Sequence, residues 1–402
     1  NTFFNDMMGG YIIGPYLNEY YNGHDDEFHR QVADVDARIQ LMMDLRRGKL
    51  LKVFPYTVNG NTTWYAPTDI MPDSAVAPAD RQYMQNVFSL IYQEALAGNM
   101  ASVGNIADKM LRYQHKNGGS SLPSGMQTRA ERLYNAVPFA TILFMLNLGM
   151  GFTTLFAVLW LMTRPTRRTL RGSMLMKIAV AVMLLSFAAL TLCVALRWLI
   201  RGTAPMANGY ETMLLMAWII MAASLLLCRR FAIVLTFGFI MSGFFLLVSH
   251  ISQMDPQITH IMPVLQSPLL SIHVSVIMTA FALLSLTFIC GITALLLRAM
   301  RGSRAAGLAA QLAALRALSQ LFYYPAMAAL AVGIFVGAVW ANVSWGTYWS
   351  WDAKEVWALI TFMVYAAAAH GTSLPMMRRP MPWHVFMVAA FATILMTYFG
   401  VN

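Results

Sequence analysis

The stretch richest in groups that can do chemistry is Trp340 to Trp357, WANVSWGTYWSWDAKEVW. Five of the ten tryptophans fall in it, Trp340, Trp345, Trp349, Trp351 and Trp357, with Asp352, Lys354 and Glu355 woven among them and Gly346 at a turn. Tryptophan favours the membrane–water boundary, so an aromatic belt is the plain alternative. A belt does not require charges among clustered rings. The pattern reads as a flat aromatic platform for a large planar ligand with an apolar body and an acidic edge, and a porphyrin has that form. Each aromatic contact contributes about 0.5–1.5 kcal/mol beyond burial. The acidic edge needs cationic or hydrogen-bonding partners, for which Lys354, Arg197 and Arg201 are the candidates.

Porphyrin iron takes imidazole readily, so the eight histidines are weighed one by one. His273, in LQSPLLSIHV, lies at the outer mouth of an apolar run on the side of the tryptophan loop; read plainly, it is an interfacial residue. His370, in YAAAAHGTS, falls about fourteen residues along its run, or about 20 Å deep at the helical rise. A buried imidazole at that depth is costly and is a functional candidate by default. His250 and His260 read as solvated residues bracketing an outer loop, and His384, beside Trp383, as interfacial. His24, Asp25, Asp26 and His29 resemble a metal cluster, but with no second cluster they read as charged surface, and His115 lies in the same polar region. Cys193, Cys228 and Cys290 stand singly, without CxxC spacing, and read as structural and reduced. The 31 methionines spread over packing and lipid-facing positions and are assigned no ligand role.

These residues sit on a chain that is 58% hydrophobic and 11% charged, against about 25% charged in soluble domains. That excludes a disordered regulator, a fibrous protein and an enzyme that is water-soluble throughout. The net charge of +10 does not signal nucleic acid, because most arginines form short runs between apolar stretches, the pattern that orients a membrane protein. Past Pro138, eight runs are read as spans: 139–162, 174–196, 211–227, 231–248, 270–297, 321–343, 356–374 and 383–401. Basic clusters follow the first (Arg164, Arg167, Arg168, Arg171), third (Arg229, Arg230), fifth (Arg298, Arg301, Arg304) and seventh (Arg378, Arg379). The positive-inside rule then puts 1–138 and the tryptophan loop outside the cytoplasm. Gly302–Gln320 reads as an amphipathic helix on the inner surface. The fold class expected is mainly α: a polytopic helical membrane protein with about eight transmembrane helices and an N-terminal extracytoplasmic, mostly helical domain.

In that first domain, Asp80 to Lys116 carries Met84, Val87, Phe88, Ile91 and Tyr92, then Val103, Ile106, Met110 and Tyr113, at helical spacing about a break at Gly98-Asn99. Two helices in a hairpin are predicted. Asn59-Gly60, between apolar segments of Lys49–Tyr65, predicts a short strand hairpin. The start at Asn1 without a signal pattern predicts a fragment or processed product.

WGTYWSWDAKEVWALITF resembles the tryptophan-rich WWD signature of heme-handling membrane proteins, and Lys354-Glu355 after the Asp is similar to the CcsA (ResC) branch that serves System II cytochrome c biogenesis. GIFVGAVWAN, LQSPLLSIHV, NGYE and TYFGVN agree, so the resemblance covers nearly all of Met174–Asn402. Ala353 departs from it, standing where the family usually has Pro, which removes a stiff turn but no ligand. Residues 1–138 are similar to the C-terminal, extracytoplasmic part of CcsB (ResB), so the whole resembles a piece of a fused CcsB–CcsA synthase whose transmembrane heme-handling domain is 139–402 with its WWD loop at 340–357.

The resemblance implies a cytochrome c synthase, a heme lyase in the bacterial inner membrane with residues 1–138 and the WWD loop on the periplasmic side. Heme b is its substrate and ligand, and apocytochrome c with a CxxCH motif is its partner, alongside membrane lipid and further CcsB-type helices; no nucleic acid partner is implied. His273 is implied as an external axial ligand of heme iron and His370 as an intramembrane one. Each has a partner histidine expected outside this sequence, after Asn402 and before Asn1. Trp345, Trp349, Trp351, Trp357, Asp352 and Lys354 are implied to hold the porphyrin. No catalytic residue of the protein's own is expected, because the substrate thiols react with the heme vinyl groups. A heme exporter or chaperone that passes heme on without forming thioethers is the alternative. A transporter of an unrelated substrate predicts internal repeats and interrupted helices, and neither is found.

Overall fold

Backbone polar groups in hydrocarbon must be satisfied within the segment, so long apolar runs become helices. The computed structural model describes residues 4–5, 10–24, 26–46, 48–58, 61–69, 78–163, 173–206, 208–251, 254, 256–258, 267–301, 307–370 and 373–401. Asp25, Asn59, Gly60, His260, Arg304 and the arginines of 164–171 lie outside them. The chain divides into two units, Asn1–Ser124 and Gly125–Asn402.

In the first unit, β1 (Phe4–Asn5) pairs antiparallel with β2 (Gly10–Tyr11), followed by α1 (Gly14–Tyr21) and α2 (Glu27–Arg46). Next come β3 (Phe54–Val58) and β4 (Asn61–Tyr65), an antiparallel pair with Val58 opposite Asn61. The helix hairpin is α3 (Pro78–Leu96) and α4 (Met100–Asn117), and the Asn99 side chain caps α4 by accepting from the Ser102 N–H. Phe54, Met84, Val87 and Ile106 form the core. Buried His29 has its ring nitrogens 2.7 Å from Asp26 Oδ1 and 3.0 Å from Glu19 Oε2. Glu19 first, then Asp26, holds its pKa above the usual histidine range. Both nitrogens are thus engaged by carboxylates, and no three His, Cys, Asp or Glu among the described residues form a metal-binding group.

The second unit contains α5 (Gly125–Ala136), α6 (Phe139–Thr163), α7 (Met174–Arg201), α8 (Gly209–Leu227), α9 (Ile233–His250), α10 (Pro268–Arg301), α11 (Leu308–Trp345), α12 (Ala353–Ala369) and α13 (Pro380–Leu395), which continues as a π-helical turn, Met396–Gly400. Ser173 and Asn208 cap α7 and α8 through their side chains. One apolar cluster joins α6 to α9 and includes Ala130 of α5; a second joins α8 to α13. Asn147 ties three helices by accepting from the Ser186 hydroxyl at 2.9 Å and donating to Ser242 Oγ at 3.4 Å.

Among the described residues, seven helices, α6 to α11 and α13 with its π turn, are long and apolar enough to cross a membrane, in keeping with the expected polytopic helical membrane protein. The seventh expected span is helical over 17 residues and stops at Ala369, not Leu374, because His370 leaves the helical region at φ −86°, ψ 43°; that length is at the short end of what crosses a hydrocarbon core. The segment 308–320 is not a separate surface helix. It forms the first third of the 38-residue α11, burying Leu308, Leu312, Leu315 and Leu318. Trp383 of α13 donates to Ser319 Oγ at 3.1 Å, and the His384 ring lies 3.2 Å from the Leu312 carbonyl. Its apolar stripe is covered by protein instead of lipid headgroups, and His384 is buried rather than interfacial.

Candidate functional site

Gly346, at φ +79°, ends α11 in a left-handed conformation that a side chain would strain, and so turns the chain into the tryptophan loop. The loop is held at its other end by reciprocal capping. Asp352 Oδ1 accepts the Glu355 N–H at 2.7 Å, while Glu355 Oε2 accepts the Ser350 N–H at 2.8 Å. Between them Trp351 sits at φ +60°, a genuine outlier for a bulky residue. The π turn, a feature frequent at functional sites, brings Thr397 and Tyr398 to the same place, where Tyr398 Oη and Thr212 Oγ1 are 2.6 Å apart.

These elements enclose a cavity of about 470 Å³, within the range of small-ligand pockets. His273, Trp340, Trp349, Asp352, Lys354 and Glu355 line it together with Tyr398 and apolar residues of α10 and α11. His273 Nδ1 is 2.8 Å from the Gly333 carbonyl. A carbonyl only accepts, so Nδ1 carries the proton and Nε2 holds the lone pair, the arrangement a metal ligand needs. The indole N–H groups of Trp340 and Trp349 are buried with no hydrogen-bond partner among the described residues. Orphaned buried donors are rare and call for an acceptor. An imidazole lone pair, two unpaired donors, a lysine and apolar walls fit a porphyrin with an iron centre and an acidic edge.

The sequence-predicted residues separate into two groups. His273, Trp349, Asp352 and Lys354 meet at the cavity. Trp345 and Trp351 do not line it; they are 64% and 72% exposed, and each ring abuts a lining ring edge-on, Trp345 on Trp340 at 90° and Trp351 on Trp349 at 83°. The rings therefore form walls and a rim, not one flat face. Trp357 is half-buried outside the lining, its carbonyl accepting from Thr361 at 2.8 Å and Thr397 at 3.2 Å. Sequence reasoning counted Trp340 in the tryptophan cluster without assigning it to the porphyrin, and it did not single out Tyr398. The signal for Trp340 is its spacing on α11, where Gly333, Gly337 and Trp340 fall at i, i+4 and i+7 on one face.

The other candidate cations for the acidic edge are committed elsewhere. Arg197 is fully buried and donates to Glu211 Oε1 at 2.7 and 3.1 Å, to Tyr134 Oη at 2.6 Å and to the Pro256 carbonyl at 2.8 Å. Arg201 donates to Glu211 Oε2 at 2.6 Å. Both neutralise Glu211 rather than face a ligand. His250 is exposed, 3.2 Å from Thr141 Oγ1.

His370 caps the far end of α12, with Nδ1 donating to the Ala366 carbonyl at 2.8 Å. Its ring is exposed in this chain, one residue past the end of α12. Asp352, at the cavity, and His370 are separated by the whole of α12, about 26 Å at the helical rise. His273 and His370 thus belong to two separate places.

The description "Cytochrome C assembly protein" matches residues 206–402. Protein NrfI of Wolinella succinogenes is 30% identical over 93% of this chain, which spans 41% of NrfI's length. Cytochrome c biogenesis protein CcsA of Synechococcus sp. strain CC9605 is 34% identical over 57% of this chain and 83% of its own. The solved structure of Cytochrome c Heme Lyase CcmF is a more distant neighbour, at TM-score 0.47 and 17% identity over 70% of this chain and 48% of its own. With its site assembled from the matched region, and a relative covered over most of its length at this identity, the chain belongs to the cytochrome c assembly family and is CcsA-like.

Proposed function

We propose that this chain forms the heme-presenting part of a cytochrome c synthase in the bacterial inner membrane, with the cavity on the periplasmic side. Heme b is its substrate. It enters the protein near His370, from the inner end of α12, and reaches the cavity, where His273 Nε2 ligates the iron and the Trp340 and Trp349 N–H groups and Lys354 bind the carboxylates. The CxxCH segment of apocytochrome c docks at the mouth. Each cysteine S–H adds across a heme vinyl group, forming an S–C bond while the hydrogen goes to the other vinyl carbon, and the substrate histidine takes an axial position. The nucleophiles come from the substrate; the protein contributes orientation. Residues 1–138 are the extracytoplasmic domain, which guides apocytochrome or braces the helices.

One observation carries this reading: an imidazole with a fixed tautomer shares a cavity with two unpaired indole donors. His273→Ala in the full-length protein abolishes cytochrome c maturation and strips heme from the cavity, and added imidazole partly restores both. Unchanged maturation removes His273 from the mechanism. If the unaltered protein instead passes heme to an acceptor without forming thioethers, the chaperone alternative stands.

A further inference from the structure

The cavity's imidazole is set by the backbone of the neighbouring helix. Along α11, Gly333 and Gly337 lie one turn apart and face His273 and Ile277, one turn apart on α10. A Cβ on Gly333 would lie 2.5 Å from Ile277 Cδ1, and a Cβ on Gly337 would lie 2.5 Å from His273 Cε1 and 2.7 Å from its Nδ1. The two cases differ in what can yield. Ile277 meets Gly333 chiefly with its side-chain tip, its backbone nitrogen lying farther off at 3.3 Å, whereas His273 meets Gly337 with a rigid ring. That ring is itself held by the 2.8 Å bond from Nδ1 to the Gly333 carbonyl. It cannot swing away from Gly337 without breaking the bond that fixes its tautomer.

We infer that Gly333 and Gly337 together are positioning residues for the iron ligand. The Gly333 carbonyl sets which nitrogen is protonated, and the missing side chain of Gly337 is the seat of the imidazole. The inference rests on His273 being the ligand, as proposed above. Groups that hydrogen-bond the far nitrogen of a metal-bound histidine typically contribute about 10- to 100-fold in affinity, and a seat that also fixes the ring plane belongs in that range.

The test uses Gly337→Ala, His273→Ala and the double variant in the full-length protein, reading membrane-inserted yield, heme content and the spin-state signature of the heme spectrum. Gly337→Ala is expected to lose heme at least about tenfold or to shift it from low to high spin. The double variant should insert as well as His273→Ala alone, because removing the imidazole vacates the space the new methyl takes. If Gly337→Ala fails to insert but the double variant inserts, the clash is with the imidazole and the inference holds. Failure of both to insert, while His273→Ala inserts, assigns Gly337 to general helix packing and overturns it. A wild-type spectrum in inserted Gly337→Ala overturns it as well. His273→Ala with wild-type heme content and spectrum sinks the ligand assignment itself, and so separates failure of the proposed function from failure of the seat.

Discussion

At the scale of single residues, the two indole N–H groups separate shape from chemistry. Phe in place of Trp340 or Trp349 keeps an aromatic wall and deletes the donor. Hydrogen bonds to charged groups contribute about 1.5–3 kcal/mol. Trp340→Phe and Trp349→Phe should therefore each weaken heme binding roughly 10- to 100-fold in a Soret titration. Trp345→Phe, on the exposed rim, should change it little. Equal, small effects at all three positions would make the lining tryptophans mere walls. The residue types were legible in the sequence, and so was the need for an acceptor-rich planar ligand. Which two of five indoles turn inward was not, because neighbouring rings in the loop pair edge-on and only the fold decides which ring of each pair is enclosed.

At the scale of elements, α12 and its cap fix the loop that borders the cavity. The Asp352 carboxylate accepts the Glu355 N–H while Glu355 returns a bond to Ser350. An N-cap changed to Ala costs about 1 kcal/mol, and Asn caps as well as Asp. Asp352→Ala should thus lower both thermal stability and retained heme, while Asp352→Asn keeps both near wild type. Loss of heme in Asp352→Asn with stability intact would show that the charge, rather than the cap, matters. Most helix starts were readable from hydropathy. The end of α12 and the continuity of α11 were not, since a local run does not reveal whether its apolar stripe is covered by protein or by lipid.

At the scale of the whole membrane unit, the buried Arg197–Glu211–Arg201 cluster ties α7 to α8, and through Tyr134 Oη and the Pro256 carbonyl it holds α5 and the chain at Pro256. Removing one member of a buried ionic group costs about 3–5 kcal/mol, because the remaining charges lose their compensation. Glu211→Ala should strand two guanidinium groups and reduce inserted yield and denaturation temperature sharply. Arg197→Met combined with Glu211→Leu should be less damaging than the two single changes added together. Strict additivity, measured by unfolding in detergent, would show that the groups act independently.

The sequence by itself determined that this is a helical membrane protein, where most of its helices begin, and that its tryptophan loop and His273 are the residues to follow. Those properties are local: apolar run length, charge between runs and residue chemistry are written in order along the chain. The tertiary structure decided how α8, α10, α11, α12 and the π turn after α13 enclose one cavity. It also committed Arg197 and Arg201 to Glu211 instead of to a ligand, and it seated the imidazole of α10 against two glycines of α11. These outcomes depend on which faces meet between residues about 60 positions apart, as His273 and Gly333 are. Hydropathy cannot select a facing partner where every helix is apolar on all sides; close packing and the pairing of buried polar groups do.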